Sequence, residues 1–328
     1  MAENRGDTLV ILIPIYNDWA SVEALLYQLD TVLDADRVRT EVLLVDDGST
    51  LSVPPRFIEK GLRVIRNVNV LQLKRNLGHQ RAIATGLVFV YENISGSMVL
   101  IMDGDGEDGP EDVSVLLERF YKEGENRIIF AERTKRTEGF MFKLFYHLYK
   151  TLHMALTGVR IRVGNFSIVP FGLLNRLVVI SEMWNHYAAA VFNAKLPYST
   201  VPIPRRKRIS GQSQMGFISL VIHGLSAISV YGQIVGVRLL IAASVFIAVV
   251  AGLLISTVLI RLMTNLAIPG WATFTIGLLL VMVLQTVAIS FLLVFMILYS
   301  RSSSTIIPIR DCGLFIGTVK RVFANDAV

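Results

Sequence analysis

The sequence of 328 residues contains one cysteine, Cys312. A single thiol cannot form an intrachain disulfide, so the fold does not rely on the disulfide framework that stabilises many small secreted domains. The N-terminal segment from Met1 to Thr8 is polar and lacks the apolar stretch of a signal sequence. We therefore expect the first ~200 residues to remain in the cytosol.

Charged residues are nearly absent from one long part of the chain. Between Leu239 and Ser300 the only charged residue is Arg261, in a protein that is 53% hydrophobic overall. The apolar runs on either side of it, Leu239 to Ile260 and Trp271 to Tyr299, each exceed the ~20 residues that a helix needs to cross a bilayer. We predict a hairpin of two transmembrane helices. A pair of buried core helices is the alternative, but the soluble part is too small to cover runs this long that lack a polar face.

Basic residues flank the predicted hairpin on both sides, in a chain whose formal net charge is +6. Because the connecting loop holds only Arg261, the positive-inside rule places both termini in the cytoplasm, and we expect membrane lipid as a partner. Nucleic acid is the other common partner of basic proteins, but no nucleic-acid motif accompanies this charge, so we expect none. The flanking residues are Arg205, Arg206, Lys207, Arg208, Arg238, Arg301, Arg310, Lys320 and Arg321.

Short apolar runs rich in β-branched residues alternate with helical patterns in the first part of the chain. This alternation predicts an α/β domain with a mostly parallel sheet and helices on both faces. In such sheets ligands bind beyond the carboxyl ends of the strands. The predicted strands are Leu9 to Ile15, Glu41 to Val45, Val70 to Leu73, Met98 to Met102 and Ile128 to Ala131, and the predicted helices are Ser21 to Leu33, Gln80 to Tyr91 and Pro110 to Tyr121.

Four carboxylates in six residues follow the fourth predicted strand, in Asp103-Gly104-Asp105-Gly106-Glu107-Asp108. Like charges at this density raise one another's pKa values unless a cation neutralises them. Hard oxygen ligands suit Mg²⁺ or Mn²⁺. The run therefore predicts a site for a divalent metal ion.

Three other interpretations of the acidic run are open. Its glycines form G-x-G-x-x-G up to Gly109, as in dinucleotide-binding turns, but there a pyrophosphate would face several carboxylates with no metal. A calcium loop of the EF-hand type would need glycine where Asp108 stands and a bidentate glutamate where Ser114 stands. An acidic cap on the helix that starts at Pro110 explains Glu111 and Asp112, but it does not explain Asp103 and Asp105.

Polar motifs also follow the other predicted strands. They are Tyr16-Asn17-Asp18, Asp46-Asp47-Gly48-Ser49, Lys74 to Gly78, and Arg133-Thr134-Lys135-Arg136. Because the carboxyl ends of parallel strands share one edge of a sheet, we expect these motifs and the acidic run to line one crevice. The basic motif is either a solvated face or a phosphate-binding group of guanidinium forks.

Together these motifs give the chain from Leu9 to about Ser229 a resemblance to the family 2 glycosyltransferases of the GT-A fold. It is most similar to the polyisoprenyl-phosphate glycosyltransferases, the group of dolichyl-phosphate mannose synthases and bactoprenol glucosyltransferases. The resemblance implies inverting transfer of a sugar from a nucleotide diphosphate sugar, with UDP favoured, to undecaprenyl or dolichyl phosphate. It also implies a bacterial inner membrane location at the cytoplasmic leaflet. Further segments that carry it are Pro14-Ile15-Tyr16-Asn17, Gly164-Asn165-Phe166-Ser167 and Arg205 to Ser213.

The resemblance implies a role for individual residues. The implied catalytic residues are Asp105, Asn165 and Arg133. The implied nucleotide contacts are Pro14, Tyr16, Asp46, Asp47, Asn76, Gly78 and Asp103. The implied metal ligands, for Mg²⁺ or Mn²⁺, are Asp103, Asp105 and Glu107. The implied phosphate contacts are Arg133, Lys135, Arg136, Arg205, Arg208 and Ser213.

Asn165 is a departure from the family pattern, since many bacterial members have an aspartate there that has been considered a base. A lipid monophosphate, with a second pKa near ~6, is already largely ionised at neutral pH and needs no base.

The predicted organisation has four parts. Residues 1–212 form the GT-A domain, 213–233 an amphipathic interface helix, 234–300 the transmembrane hairpin and 301–328 a cytoplasmic tail. A bare hairpin often packs against copies of itself, so a homo-oligomer is expected. Two alternatives stay open: transfer to another lipid or glycan acceptor, and a non-catalytic membrane scaffold that keeps a nucleotide site.

Overall fold

The computed structural model describes residues 7–34, 38–123, 126–133, 150–159, 163–204, 217–264, 268, 270–302 and 305–325. In these ranges the chain forms two compact units. The first unit contains a sheet with its helices and includes the C-terminal residues 305–325. The second unit contains two long helices and residues 150–159.

The first unit has an eight-stranded sheet in the order β7-β5-β6-β4-β1-β2-β3-β8. Strands β4, β1, β2 and β3 are parallel neighbours, β6 is antiparallel to both β4 and β5, and β8 is antiparallel to β3. This confirms the predicted α/β fold with a mostly parallel sheet. The strands are β1 (Asp7–Ile15), β2 (Val38–Asp46), β3 (Ile65–Leu73), β4 (Met98–Ile101), β5 (Ile128–Arg133), β6 (Val163–Pro170), β7 (Tyr198–Ile203) and β8 (Ile316–Ala324).

Helices cover both faces of this sheet. Alternate residues of β1 point to opposite faces, so Leu9 and Ile11 join the core under α1 and α3, whereas Val10 and Leu12 join the core under α2. Burial on both faces explains why the central strands are nearly continuous apolar runs. The helices of this unit are α1 (Trp19–Val32), α2 (His79–Asn93), α3 (Pro110–Glu123), α4 (Phe171–Leu177), α5 (Tyr187–Asn193), α6 (Phe217–Ser229) and, after the long helices, α9 (Pro308–Asp311).

Helix α2 lies close to the sheet at Gly86. A Cβ atom there would lie 2.7 Å from Leu12 Cδ1 and 2.7 Å from Val45 Cγ2. The missing side chain therefore lets the helix approach β1 and β2. This contact fixes the start of α2, with His79 and Gln80, at the carboxyl edge of the parallel strands.

The second unit contains the long helices α7 (Gly232–Met263) and α8 (Trp271–Ser302), which include both predicted transmembrane spans. They are long and apolar enough to cross a membrane, and most of their large apolar side chains are exposed. The helices approach closely at Gly236, where a Cβ would lie 2.6 Å from Ile297 Cδ1. In the same unit, Arg238 Nη1 donates to the carbonyl oxygen of Ala155 at 2.8 Å.

Strand β8 was not predicted from the sequence, which suggested a cytoplasmic tail in this region. It pairs with β3 from Leu73 opposite Ile316 to Asn67 opposite Ala324. The sheet of the first unit is therefore completed by residues that follow the long helices in the chain.

Candidate active site

The loops that follow β1 and β2 are joined through Asn17. Its side-chain Oδ1 accepts hydrogen bonds from the backbone amides of Thr50 at 2.9 Å and Leu51 at 3.0 Å. The backbone amide of Asn17 donates to Ser49 Oγ at 2.9 Å. Asn17 has a φ of 56°, a left-handed conformation that asparagine tolerates better than most residues. The first two strand-end motifs therefore form one connected surface.

The loop after β3 is held by Asp47, a buried residue directly after β2. Its two carboxylate oxygens accept hydrogen bonds from the backbone amides of Leu77 at 2.7 Å and Gly78 at 2.8 Å. Burial raises the pKa of Asp47, and these hydrogen bonds oppose the rise without cancelling it. Gly48 has a φ of 69°, and a Cβ there would lie 2.6 Å from the backbone of Arg75. The second and third strand ends are therefore in close contact.

His79, the first residue of α2, connects these loops to the acidic run. Its Nε2 lies 3.2 Å from Asp103 Oδ1 and 2.9 Å from Asn165 Nδ2. Burial lowers the pKa of His79, but the nearby Asp103 and Asp47 raise it more, so the net shift is upward. Because the side chain is 43% exposed, solvent weakens these effects.

Gln80 sets the orientation of the Asn165 side chain. The backbone amide of Tyr187 donates to Gln80 Oε1 at 2.7 Å, so Gln80 Nε2 must face the other way, where it donates to Asn165 Oδ1 at 3.1 Å. Asn165 then presents its Nδ2 donor to His79. A chain of hydrogen bonds thus runs from the backbone amide of Tyr187 through Gln80 and Asn165 to His79 Nε2.

Arg133, at the end of β5, binds two carboxylates of the acidic run. Its Nη1 lies 3.2 Å from Glu107 Oε2, and its Nη2 lies 2.7 Å from Asp108 Oδ1. Burial, followed by repulsion from Asp103, raises the pKa of Asp108 to about 7, although Arg133 opposes the rise. Asp108 was not among the site residues predicted from the sequence, and its burial distinguishes it from the more accessible carboxylates around it.

The carboxylates of the acidic run suit a metal site that is shared with a ligand. In the described ranges no group of three or more His, Cys, Asp or Glu side chains is arranged to hold a metal ion by itself. Mg²⁺ is usually bound by one or two carboxylates together with substrate phosphates and water. Asp103 and Asp105 offer such oxygen ligands, whereas Glu107 is engaged by Arg133. The residues present therefore fit a divalent ion that a diphosphate helps to hold.

The structure brings most of the predicted site residues to the carboxyl edge of the sheet. Tyr16 and Asn76 are exposed in its loops, while Pro14 and Asp46 are buried at the ends of β1 and β2. Asp46 Oδ1 accepts a hydrogen bond from the amide of Ser49 at 2.9 Å. Outside the described residues lie Lys135, Arg136, Arg205, Arg208 and Ser213.

Comparison with known proteins gives one family match and several relatives. The family model described as "Glycosyl transferase family 2" matches residues 10–178. An uncharacterised glycosyltransferase of Bacillus subtilis (strain 168) is 23% identical over 279 residues, which cover 81% of each chain. An undecaprenyl-phosphate 4-deoxy-4-formamido-L-arabinose transferase of Edwardsiella ictaluri is 25% identical over 245 residues, covering 69% of this chain and 71% of that protein.

A solved structure shares the fold. Glucosyl-3-phosphoglycerate synthase of Mycobacterium tuberculosis, crystallised with Mn²⁺, UDP-glucose and phosphoglyceric acid, superposes with a TM-score of 0.51 at 17% sequence identity. The match covers 71% of this chain and 81% of that one. At this identity the similarity establishes the GT-A-like architecture alone.

Proposed function

The chain belongs to glycosyl transferase family 2, and we propose that it moves one sugar from a nucleotide diphosphate sugar to a polyprenyl phosphate at a membrane. The observation that carries the proposal is the cluster at the carboxyl edge of the sheet, where Asp103, Asp105 and Arg133 lie in a domain followed by two long apolar helices. Relatives named as undecaprenyl-phosphate transferases support the acceptor. UDP-glucose bound to a protein of the same fold supports the donor class.

In the proposed reaction an oxygen of the lipid phosphate attacks the anomeric carbon of the sugar, and the bond to the diphosphate breaks on the opposite face. The nucleoside diphosphate leaves with the electron pair of that bond. Because the attacking phosphate is already ionised near neutral pH, no residue has to remove a proton from it. Asn165 in place of the family's aspartate is compatible with this chemistry.

The residues of the site would then stabilise the charge of the leaving diphosphate and hold the nucleotide in place. A divalent ion on Asp103 and Asp105 would neutralise charge that develops on the leaving diphosphate. Arg133 supplies a guanidinium whose two Nη atoms already reach separate carboxylates, and the same fork suits phosphate oxygens. Asp47 holds the loop that carries Asn76 and Gly78, the residues we assign to the nucleotide.

The order of strands supports the proposed membrane orientation. Strand β8 follows the two long helices in the chain, yet it pairs with β3 of the same sheet. Any segment that crosses a membrane between β7 and β8, two strands of this sheet, must therefore do so an even number of times. Two spans satisfy this requirement, and the basic flanks favour the cytoplasm for both ends.

The test is transfer by the purified full-length protein in detergent. With radiolabelled UDP-glucose, undecaprenyl phosphate and Mn²⁺, we expect label in the lipid extract, and EDTA should abolish it. Asp105→Ala should lower the rate by about 100- to 1,000-fold, the size of effect seen when one group that stabilises developing charge is removed. Glu59→Ala is the matched control, because this exposed carboxylate forms an ion pair with Arg56 and is not one of the residues assigned to the site.

The outcomes separate the alternatives. Label that appears in a product other than the polyprenyl lipid would indicate a different acceptor. Nucleotide binding without turnover, over a panel of nucleotide sugars, would indicate a membrane scaffold. Equal rates for Asp105→Ala and Glu59→Ala would refute the assigned role of Asp105.

A further inference from the structure

The first residues after the membrane helices contact the loop between β3 and α2. We call residues 308–316 the C-terminal brace and residues 74–78 the donor loop. The backbone amide of Lys74 donates to the carbonyl oxygen of Phe315 at 2.9 Å. Lys74 Nζ donates to the carbonyl oxygen of Leu314 at 2.9 Å. Main-chain and side-chain contacts thus join the brace to the start of the loop.

Phe315 is the side chain of the brace that packs on the loop. The guanidinium of Arg75 lies over its ring at 5.9 Å from the centroid. The ring of Phe315 also packs against Trp184, with the ring centroids 5.3 Å apart. The guanidinium of Arg81, in α2, lies over the Trp184 ring at 5.5 Å from its centroid. The result is a row of contacts between Arg75, two tilted aromatic rings and Arg81 beside the start of α2. Such contacts stabilise a fixed arrangement of the loop.

The brace is itself anchored in the first unit. The backbone amide of Ile309 donates to the carbonyl oxygen of Val178 at 2.9 Å. Cys312 is fully buried, and Thr85 Oγ1 lies 3.6 Å from its Sγ. Asp311 Oδ2 accepts a hydrogen bond from the amide of Ile307 at 2.9 Å. The brace therefore offers the donor loop a rigid support.

The opposite side of the donor loop is held by Asp47 and Gly48, as described above. The loop is thus fixed between the end of β2 and the brace. It carries Asn76 and Gly78. The next residue is His79, whose Nε2 lies 3.2 Å from Asp103 Oδ1. A displacement of the loop would move both the nucleotide contacts and a neighbour of the proposed metal ligands.

We infer that the C-terminal brace is part of the donor site, and that Phe315 is a positioning residue that keeps the donor loop in the conformation that binds the nucleotide sugar. This inference rests on the proposed function. It deepens that function by making the C-terminal brace, which follows the membrane helices in the sequence, a requirement for donor binding. The acceptor does not depend on the loop in this scheme. Loss of Phe315 should therefore weaken the donor step alone.

The experiment compares Phe315→Ala with Leu314→Ala in the full-length protein. Leu314 is the matched control, because its side chain is 70% exposed and the substitution keeps the backbone oxygen that accepts the hydrogen bond from Lys74. With UDP-glucose as the probe, Phe315→Ala should raise the KM for UDP-glucose about tenfold, while kcat and the KM for undecaprenyl phosphate change less than twofold. Phe315→Tyr keeps the ring and should restore the donor KM.

Hydrogen exchange provides a readout that needs no turnover. The amides of Leu77 and Gly78, which donate to Asp47, should exchange about tenfold faster in Phe315→Ala than in Leu314→Ala, with α1 unchanged. If the wild type does not transfer sugar, the proposed function fails for this donor, and exchange alone decides the inference. An unchanged loop, or equal rises in both KM values, would overturn it.

Discussion

Arg133 is the residue through which the end of β5 reaches the acidic run. Its two Nη atoms contact different carboxylates, those of Glu107 and Asp108. A lysine at this position keeps the charge, but its single ammonium group cannot form a fork. The two contacts therefore depend on the geometry of the guanidinium as well as on its charge.

Arg133→Lys should lower kcat/KM for sugar transfer by about 10- to 100-fold, because one of the two contacts is lost. Steady-state kinetics with the full-length protein would measure the change. Arg56→Lys is the control, since that side chain is 83% exposed and pairs only with Glu59 among the contacts described. Activity of Arg133→Lys within twofold of the wild type would contradict the proposed role.

Asp108 should make stability depend on pH in the metal-free protein. Its folded pKa of about 7 lies above the ordinary value of 3.8 because it is buried. The folded state therefore binds this proton more tightly than the unfolded state. The resulting stabilisation is fully present below about pH 4 and is lost as the pH rises through about 7.

Asp108→Asn should remove this contribution. Unfolding by urea in the presence of EDTA, followed at several pH values, should show a shallower decline between about pH 4 and pH 7 in the variant than in the wild type. Parallel declines would show that another group is responsible.

Asp108 and Gln80 also show where prediction from the sequence ends. The acidic run is visible as a string of letters, but nothing in it distinguishes buried Asp108 from the more accessible Asp105. The role of Gln80 was not visible at all. It depends on the backbone amide of Tyr187, a residue more than a hundred positions away, which only the folded chain brings near.

Helix α2 is the element that carries His79 and Gln80, and Gly86 sets its distance from the sheet. Gly86→Ala should lower the free energy of unfolding by about 1–3 kcal/mol, because the new Cβ would overlap Leu12 and Val45. Denaturant unfolding followed by circular dichroism would measure the loss.

Gly172→Ala is the matched control for this prediction. That glycine also lies in a helix, but a Cβ would meet nothing within 4 Å. Here the better helix propensity of alanine should leave stability unchanged or raise it by up to about 1 kcal/mol. Equal losses in the two variants would mean that close packing at Gly86 is not what matters.

Strands differed in how readily the sequence revealed them. The first five were predicted because each contains a short apolar run bounded by turn residues, and four of them are parallel neighbours buried on both faces. Strand β6 contains Gly164, Asn165 and a terminal Pro170, which obscure its pattern. Strand β8 lies at an edge with most of its residues exposed, so it has no buried periodicity to detect.

Both ends of the hairpin should lie on one side of the membrane. Single cysteines introduced by Ser52→Cys or Leu314→Cys, in a Cys312→Ala background, should react with an impermeant maleimide only from the cytoplasmic side. Ile268→Cys, in the connection between the long helices, should react only from the other side. Labelling of Leu314→Cys and Ser52→Cys from opposite sides would contradict the two-span arrangement.

The position of β8 in the chain has a consequence for biosynthesis. A ribosome that has finished β3 must translate about 250 further residues, both apolar helices included, before β8 exists; at ~5–20 residues per second this takes roughly 10–50 s. Throughout that interval the edge of β3 has no neighbour, and an unpaired edge is a template for aggregation. We therefore expect a nascent chain in which both long helices have been translated but β8 has not to be the form of this protein most prone to misassembly.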